Sequence, residues 1–394
     1  MEKKTARLFF IDAMRAWAIL MMLQGHFIDG LLDVAFKDST NTTYIIWKYF
    51  RGITAPVFFT VSSFIFTYLL IKVPQKGWQN PRVSKGIKRG LQLLFIGYLL
   101  RLDFLGLLSG KVYDAFFLVD VLHCIGLSLL GIIGIYLLAQ KTGKALFSAL
   151  LLGATLLLFL FEPVYKEWTF DFLPIALANF FTRGNGSVFT FIPWFGYATF
   201  GAFLSVLFTR YKGHGFLYEY AILSSLLIGI VLIFFSSDFF LGLSLLTGTD
   251  LFAAIAMNNY LFIRLGDVFL VFTVFMTLRK LMAHPTLLKI GQNTLSIYVI
   301  HFVILYGSFT GLGLYRFFHR ELSPTAAILG AIFFMAVCSF TALQYESNKV
   351  QLKNGVILAT KQLYRNVQLG YAFSQKPIKG YLSKLLRSIG WTKN

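Results

Sequence analysis

Carboxylates are scarce in this sequence: 17 Asp and Glu stand against 36 Lys and Arg in 394 residues, a formal charge of +19. Charge of either sign is thin. Only 13% of residues are charged and 57% are hydrophobic, whereas a soluble domain carries about a quarter charged residues. That balance excludes a soluble globular protein. Cysteine is nearly missing as well. Cys124 and Cys338 both lie inside apolar runs, which argues against a disulfide framework or a cysteine-held metal site and makes both packing residues. No metal-ligand spacing, Gly-rich phosphate loop or Ser-His-Asp order stands out, so no metal is expected. The excess of basic residues does not mark a nucleic-acid binder, because no basic face on a soluble domain accompanies it.

Long hydrophobic runs are what the chain has in place of these features. Several reach the roughly 20 apolar residues needed to cross about 30 Å of hydrocarbon. The fold class predicted is an all-α, polytopic transmembrane helix bundle of about ten spanning helices, with both termini cytoplasmic. The spans fall at about 8–28, 49–71, 88–109, 116–138, 145–162, 189–208, 216–235, 260–278, 291–312 and 324–343. Placing the N-terminus inside puts 25 of the 36 basic residues in cytoplasmic segments and nine outside, as the positive-inside rule requires. The apolar stretch 238–258 would break that alternation as a further span and is read as re-entrant or interfacial. Residues 163–188, with Trp168, Pro174 and a Gly-rich turn at 183–187, form a long outer segment suited to capping the outer mouth. Two units are expected: a membrane domain over 1–345, and a basic cytoplasmic tail over 346–394 whose stretch Ile378 to Trp391 fits an amphipathic helix on an anionic leaflet. A solvated basic tail is the alternative. The N-terminus resembles a signal peptide in its basic start and apolar core, but Asp12 and Arg15 interrupt it, and a retained helix is expected.

The first span is unusual. It carries Asp12, Arg15, His26 and Asp29, although each ionisable group near the bilayer centre costs several kcal/mol. At about 100° per residue the four share a sector of roughly 100°, and about 16 Å of rise separates Arg15 from His26. One face of this helix is therefore polar from end to end.

Other ionisable groups gather toward the outer ends of their spans: Arg51, Arg101, Asp120, His123, Arg264 and Asp267, with His301 near the middle of the ninth. Such groups are expected to face a cavity or one another. Each has a plainer role open to it. Arg264 and Asp267, three residues apart, suit a structural ion pair, and so do Asp12 and Arg15. Asp120 suits a helix cap, and His123 a satisfied core histidine. His214, His284 and His319 fall in loops. His26 is different, because it stands where the first helix opens outward, with Asp29 one turn on. An imidazole with a carboxylate neighbour is suited to taking a proton from a hydroxyl or amine near neutral pH. That chemistry favours acyl transfer over phosphoryl transfer, which would use a metal-binding carboxylate cluster.

Taken together, Arg7-x4-Asp12-x2-Arg15, Met22-x3-His26-x2-Asp29 and the stretch Tyr49 to Phe59 resemble the start of the heparan-alpha-glucosaminide N-acetyltransferase catalytic-domain family, within the transmembrane acyltransferase superfamily. Residues 121–128, 191–201 and 290–301 agree, so the resemblance spans roughly 7–310. Ala16 and Gln24 depart from the pattern, where glycine and an acidic residue are usual. The resemblance implies transfer of an acetyl group from cytosolic acetyl-CoA to an amine or hydroxyl of an extracytoplasmic glycan or glycolipid, with His26 as the histidine of the reaction. Asp29 and Arg51 complete the expected catalytic set. Asp12, Arg15, Arg101, His123, Arg264, Asp267 and His301 are the expected binding and supporting residues. The implied setting is a bacterial plasma membrane, with acyl-CoA, the acceptor and the bilayer as partners, no nucleic acid, and a homodimer as an open arrangement. A transporter or flippase for a sugar- or lipid-linked substrate is the alternative, since intramembrane charge pairs also line transport paths.

Overall fold

The computed structural model describes residues 8–110, 113–140 and 144–388. Lys3, Lys4, Arg7, Lys111, Lys141 and the tail beyond 388 lie outside these, and the side chains of 369–383 are not described. The chain is all-α. In order its helices are α1 (Phe9–Leu31), α2 (Thr42–Ile71), α3 (Pro81–Leu100), α4 (Phe104–Leu108), α5 (Val121–Ala139), α6 (Lys144–Leu160), α7 (Glu162–Tyr165), α8 (Ile175–Ala178), α9 (Phe191–Tyr211) and α10 (Leu217–Phe234). They continue with α11 (Ser236–Thr247), α12 (Asp250–Met257), α13 (Tyr260–Thr277), α14 (Pro285–Gln292), α15 (Thr294–Tyr306), α16 (Leu314–Phe318) and α17 (Pro324–Ser388). By internal packing the chain divides into Met1–Thr341 and Ala342–Asn394.

Every expected span coincides with a helix, yet by length and hydropathy alone fewer qualify. Six described helices are long and apolar enough to cross a membrane, and α14 with α15 makes a seventh if that bent pair is one span. Polar side chains lower the mean hydropathy of α1 and α3, and the apolar part of α6 runs only from Ala145 to Leu160. Several boundaries differ from the sequence reading, most of all the last, since α17 continues past 343 to Ser388. Helix α2 begins at Thr42, where the Asn41 carboxamide caps it by accepting from Tyr44 N at 3.2 Å. Helix α3 begins at Pro81, because Asn80 caps it through Arg82 N at 2.9 Å and proline suits a first helical position. The ninth span is broken: α14 and α15 meet at Asn293 with a bend of 72°. The stretch 238–258 forms α11 and α12, 12 and 8 residues long, too short to cross and joined at Gly248, whose φ is +65°.

Helix α1 packs against α2, α13, α14 and α15, and Ile11, Ala13, Met14, Ala18, Ile19 and Leu23 are wholly buried. Close approach of backbones holds such bundles together, because lipid offers no hydrophobic contrast between helices. A close seam joins α2 to α9: a Cβ on Gly201 would overlap the Thr60 carbonyl, and Thr60 Oγ1 donates to Tyr197 O at 3.3 Å. Asn80 ties a second seam, donating through Nδ2 to Leu70 O at 2.9 Å and to Tyr136 Oη at 3.2 Å.

The ends of the bundle differ. At one, the C-terminal ends of α2, α9 and α13 gather Lys72, Lys212 and Arg279 around Tyr68 and Tyr218; it is called here the basic end. At the other, paired segments join Leu32 to Leu322 and Asp103 to Phe309. There the segment 163–188 lies over the start of α5, with Asn179 Nδ2 donating to Phe117 O at 2.9 Å and Val119 N donating to Ser187 Oγ at 3.1 Å. Both cysteines are free and buried.

Gly201→Val should lower stability by about 1–3 kcal/mol, because the α2 backbone must retreat. Gly153→Ala, where added volume meets nothing within 4 Å, should be neutral or gain up to about 1 kcal/mol. Thermal unfolding of the purified protein in detergent compares the two.

Candidate functional site

Two polar clusters lie along α1, one near each end. Toward the basic end, Arg15 Nη1 stands 3.9 Å from Asp12, and Nη2 donates to Thr294 Oγ1 at 3.1 Å. The break at Asn293 makes this contact available. It sets Thr294 at the start of α15 and lets α14 lie on α1, where a Cβ on Gly291 would overlap the Asp12 carbonyl. Arg15 Nε is buried with no hydrogen-bond partner.

At the opposite end, His26 of α1 meets His301 and Tyr306 of α15. Tyr306 Oη and His26 Nδ1 are 3.0 Å apart, and the two imidazole centroids are 5.5 Å apart. The hydroxyl of Tyr306 can donate or accept here. His301 has no such choice: its Nδ1 lies 2.5 Å from the Tyr298 carbonyl, an acceptor only, so the hydrogen is on Nδ1 and the lone pair on Nε2. His301 is buried and His26 half-buried. The three rings therefore form one polar patch, with the lone pair of His301 held on Nε2.

Asp29, one turn beyond His26, does not hold the imidazole as the sequence suggested. Its carboxylate pairs with Arg51 of α2, and its backbone oxygen accepts from Lys37 Nζ at 2.6 Å. The hydrogen-bond partner of His26 is the Tyr306 phenol instead. Arg51 also lies over Trp47 at 5.5 Å, whose Nε1 donates to Gln24 Oε1 at 2.8 Å. Partial burial draws the Lys37 ammonium below its ordinary value, and the carboxylate of Asp29 opposes that shift.

Further charge pairs brace neighbouring helices. Arg101 Nε lies 3.3 Å from Asp120 Oδ2 and its Nη1 donates to Ala115 O at 3.2 Å. Asp120 caps α5, accepting from Leu122 N at 3.1 Å, and meets His123 Nδ1 at 3.0 Å. His123 is fully buried between Tyr98 and Phe180, and its Nε2 has no hydrogen-bond partner. Arg264 pairs with Asp267 at 2.9 Å, donates to Tyr49 O at 3.1 Å and covers the Tyr49 ring at 4.4 Å. Tyr49 Oη in turn donates to Asp267 Oδ1 at 2.8 Å. This clasp joins α13 to the start of α2, where Gly52 leaves room for the Arg264 guanidinium.

The structure thus brings His26 and His301 together, pairs Asp29 with Arg51, and leaves Asp12 with Arg15 on the other half of α1. Three functional candidates escaped the sequence reading. Tyr306 lies five residues after His301, about 140° around the helix by the 3.6 period, so no spacing rule connects them. Thr294 becomes visible only through the break at Asn293. Tyr49 opens the stretch Tyr49 to Phe59, and that position was its only signal. Among the described residues no group of three His, Cys, Asp or Glu is arranged to hold a metal ion.

A bundle of membrane-length helices with a histidine patch at one end of a polar α1 defines a multi-pass, membrane-embedded protein. Residues 7–236 match the model of the heparan-alpha-glucosaminide N-acetyltransferase catalytic family. The chain belongs to that family, a family of membrane acetyltransferases. The match contains His26, Asp29, Arg51, Arg101 and His123 and stops before Arg264 and the 290–301 motif. No curated protein matches the sequence.

Asp120→Ala removes the cap of α5 and strands the Arg101 guanidinium, so a loss of about 3 kcal/mol is expected. Glu346→Ala, which removes the pair with the exposed Lys349, should change stability by no more than about 1 kcal/mol. Unfolding curves of both variants in detergent check the contrast.

Proposed function

We propose that this protein moves an acetyl group from acetyl-CoA at the basic end to an amine or hydroxyl of a glycan or glycolipid on the far side of a bacterial plasma membrane. The observation that carries this reading is the contact of His26 with His301 and Tyr306 at the end of a helix whose other half presents Arg15. Arg82, Lys85, Lys88 and Arg89 of α3 offer charge to the nucleotide phosphates of the donor. Its thioester arm then runs along the polar face of α1 toward His26.

His26 acts as general base through Nε2. For that, Nδ1–H donates to the Tyr306 oxygen, which leaves the lone pair on Nε2. The acceptor amine or hydroxyl attacks the thioester carbonyl and gives its proton to Nε2. The C–S bond breaks, and His26 returns the proton to the departing thiolate of coenzyme A. Arg51, half-exposed beside Asp29, is placed to stabilise the tetrahedral oxyanion. Asp29 then orients Arg51, and Tyr306 takes the orienting part first given to a carboxylate.

The transporter alternative makes the opposite forecast for chemistry. Labelled acetyl-CoA is offered to proteoliposomes with glucosamine as an amine acceptor and N-acetylglucosamine as a hydroxyl acceptor. Wild type should incorporate label; His26→Ala should lose roughly 10²–10⁴-fold of the rate, the worth of a general base. Tyr306→Phe should lose about three- to tenfold, the worth of one hydrogen bond. Equal rates in wild type and His26→Ala would remove His26 from the mechanism, and no incorporation by wild type would favour transport.

A further inference from the structure

A second place in the molecule has the features of a binding site, and it lies away from His26. Helices α9 and α10 are consecutive, yet α10 packs along α13 rather than along α9. The space left between them is a cavity of about 910 Å³, toward the upper end of the roughly 300–1,000 Å³ of ligand pockets. Its wall is almost wholly apolar. Phe64 of α2, Phe208 of α9 and Phe272 of α13 line it, and Leu227 and Ile228 of α10 close it from the outside. Both α10 residues are exposed, and little of that helix is buried. The cavity therefore borders the surface that meets lipid.

One end of the cavity reaches the turn from Tyr211 to Phe216, at the basic end. Four cations surround that turn. Lys212 Nζ donates to Tyr68 Oη at 2.7 Å, and Lys72 stands over the same ring at 5.5 Å. Arg279 covers Tyr218 at 4.2 Å and Arg210 covers Tyr211 at 5.7 Å. Tyr68 and Tyr218 both abut Phe208 of the cavity wall, at 6.5 and 6.1 Å. The charges thus stand one aromatic ring from the apolar space. Among the described residues none of the four forms an ion pair with a carboxylate, and residues 205–230 contain a single acid, Glu219. Aromatic faces hold these cations in place without neutralising them.

An apolar cavity beside the lipid, with unneutralised cations at its polar end, matches the two halves of one kind of molecule. We propose that this crevice binds an anionic phospholipid of the leaflet at the basic end, its acyl chain among Phe64, Phe208 and Phe272 and its phosphate between Lys212 and Arg279. Basic pockets between membrane helices select headgroups by charge. The acyl chain supplies affinity by burial, the phosphate supplies selectivity, and the lipid fills the space between α9 and α10 while α13 holds α10.

The full chain, purified in detergent and stripped of lipid, is mixed with phosphatidylglycerol or phosphatidylcholine of matched chains, and bound lipid is read by native mass spectrometry. Wild type should retain one phosphatidylglycerol per chain in preference to phosphatidylcholine. Lys212→Gln with Arg279→Gln should weaken phosphatidylglycerol about thirtyfold, equivalent to roughly 2 kcal/mol for two charges. Lys212→Arg with Arg279→Lys should restore it. Ala221→Phe, which fills the cavity, should weaken both lipids alike. Equal retention of the two lipids by wild type, or unchanged phosphatidylglycerol binding in the double Gln variant, would overturn the proposal.

Discussion

The arrangement of this bundle turns on Arg15. A guanidinium inside a membrane helix keeps its charge at any ordinary pH and costs several kcal/mol unless it is partnered. Its partners here are Asp12 on its own helix and Thr294 across the interface. Thr294 stands where the ninth span breaks at Asn293 and turns by 72°. At the same break α14 lies on α1 through Gly291, and α15 runs toward the far end of α1, where His301 and Tyr306 reach His26. The helix that partners Arg15 near one end of α1 is thus the one that completes the histidine patch near the other.

The remaining charged groups follow the same constraint with different partners. Arg51 takes Asp29, Arg101 takes Asp120, and Arg264 takes Asp267 with Tyr49. Each pair joins two helices or braces a helix end, and each leaves its carboxylate engaged. His26 stands apart in this company. Among the described residues its hydrogen-bond contact is with a hydroxyl that can either donate or accept, and when Nδ1–H donates to that hydroxyl the lone pair stands on Nε2.

Much of this was legible in the sequence. Period and hydropathy place a helix at each expected span, although six, or seven with α14 and α15 as one, are long and apolar enough to cross, and the polar face of α1 follows from residue spacing alone. Arg264 and Asp267 meet as their three-residue spacing suggests. The cap and proline at Asn80 and Pro81 are local signals for the start of α3, which lies before the apolar run that begins at 88. Other features depend on partners far along the chain. Nothing local distinguishes the pairing of Asp29 with Arg51 from an interaction of Asp29 with His26. The break at Asn293 has no proline at the bend, and the contact made there, Thr294 with Arg15, spans 279 positions. Tyr306 and His301 are out of phase on their helix, yet their rings stand 6.4 Å apart and both reach His26.

The central claim is that α1 connects a donor at its basic end with an acceptor at the other. Proteoliposomes holding the protein in one orientation, with glucosamine trapped inside and labelled acetyl-CoA added only outside at the basic end, test it most directly. The account predicts labelled N-acetylglucosamine inside, and none when the acetyl-CoA is added on the side of His26. Label appearing only when donor and acceptor share one side of the membrane would contradict it.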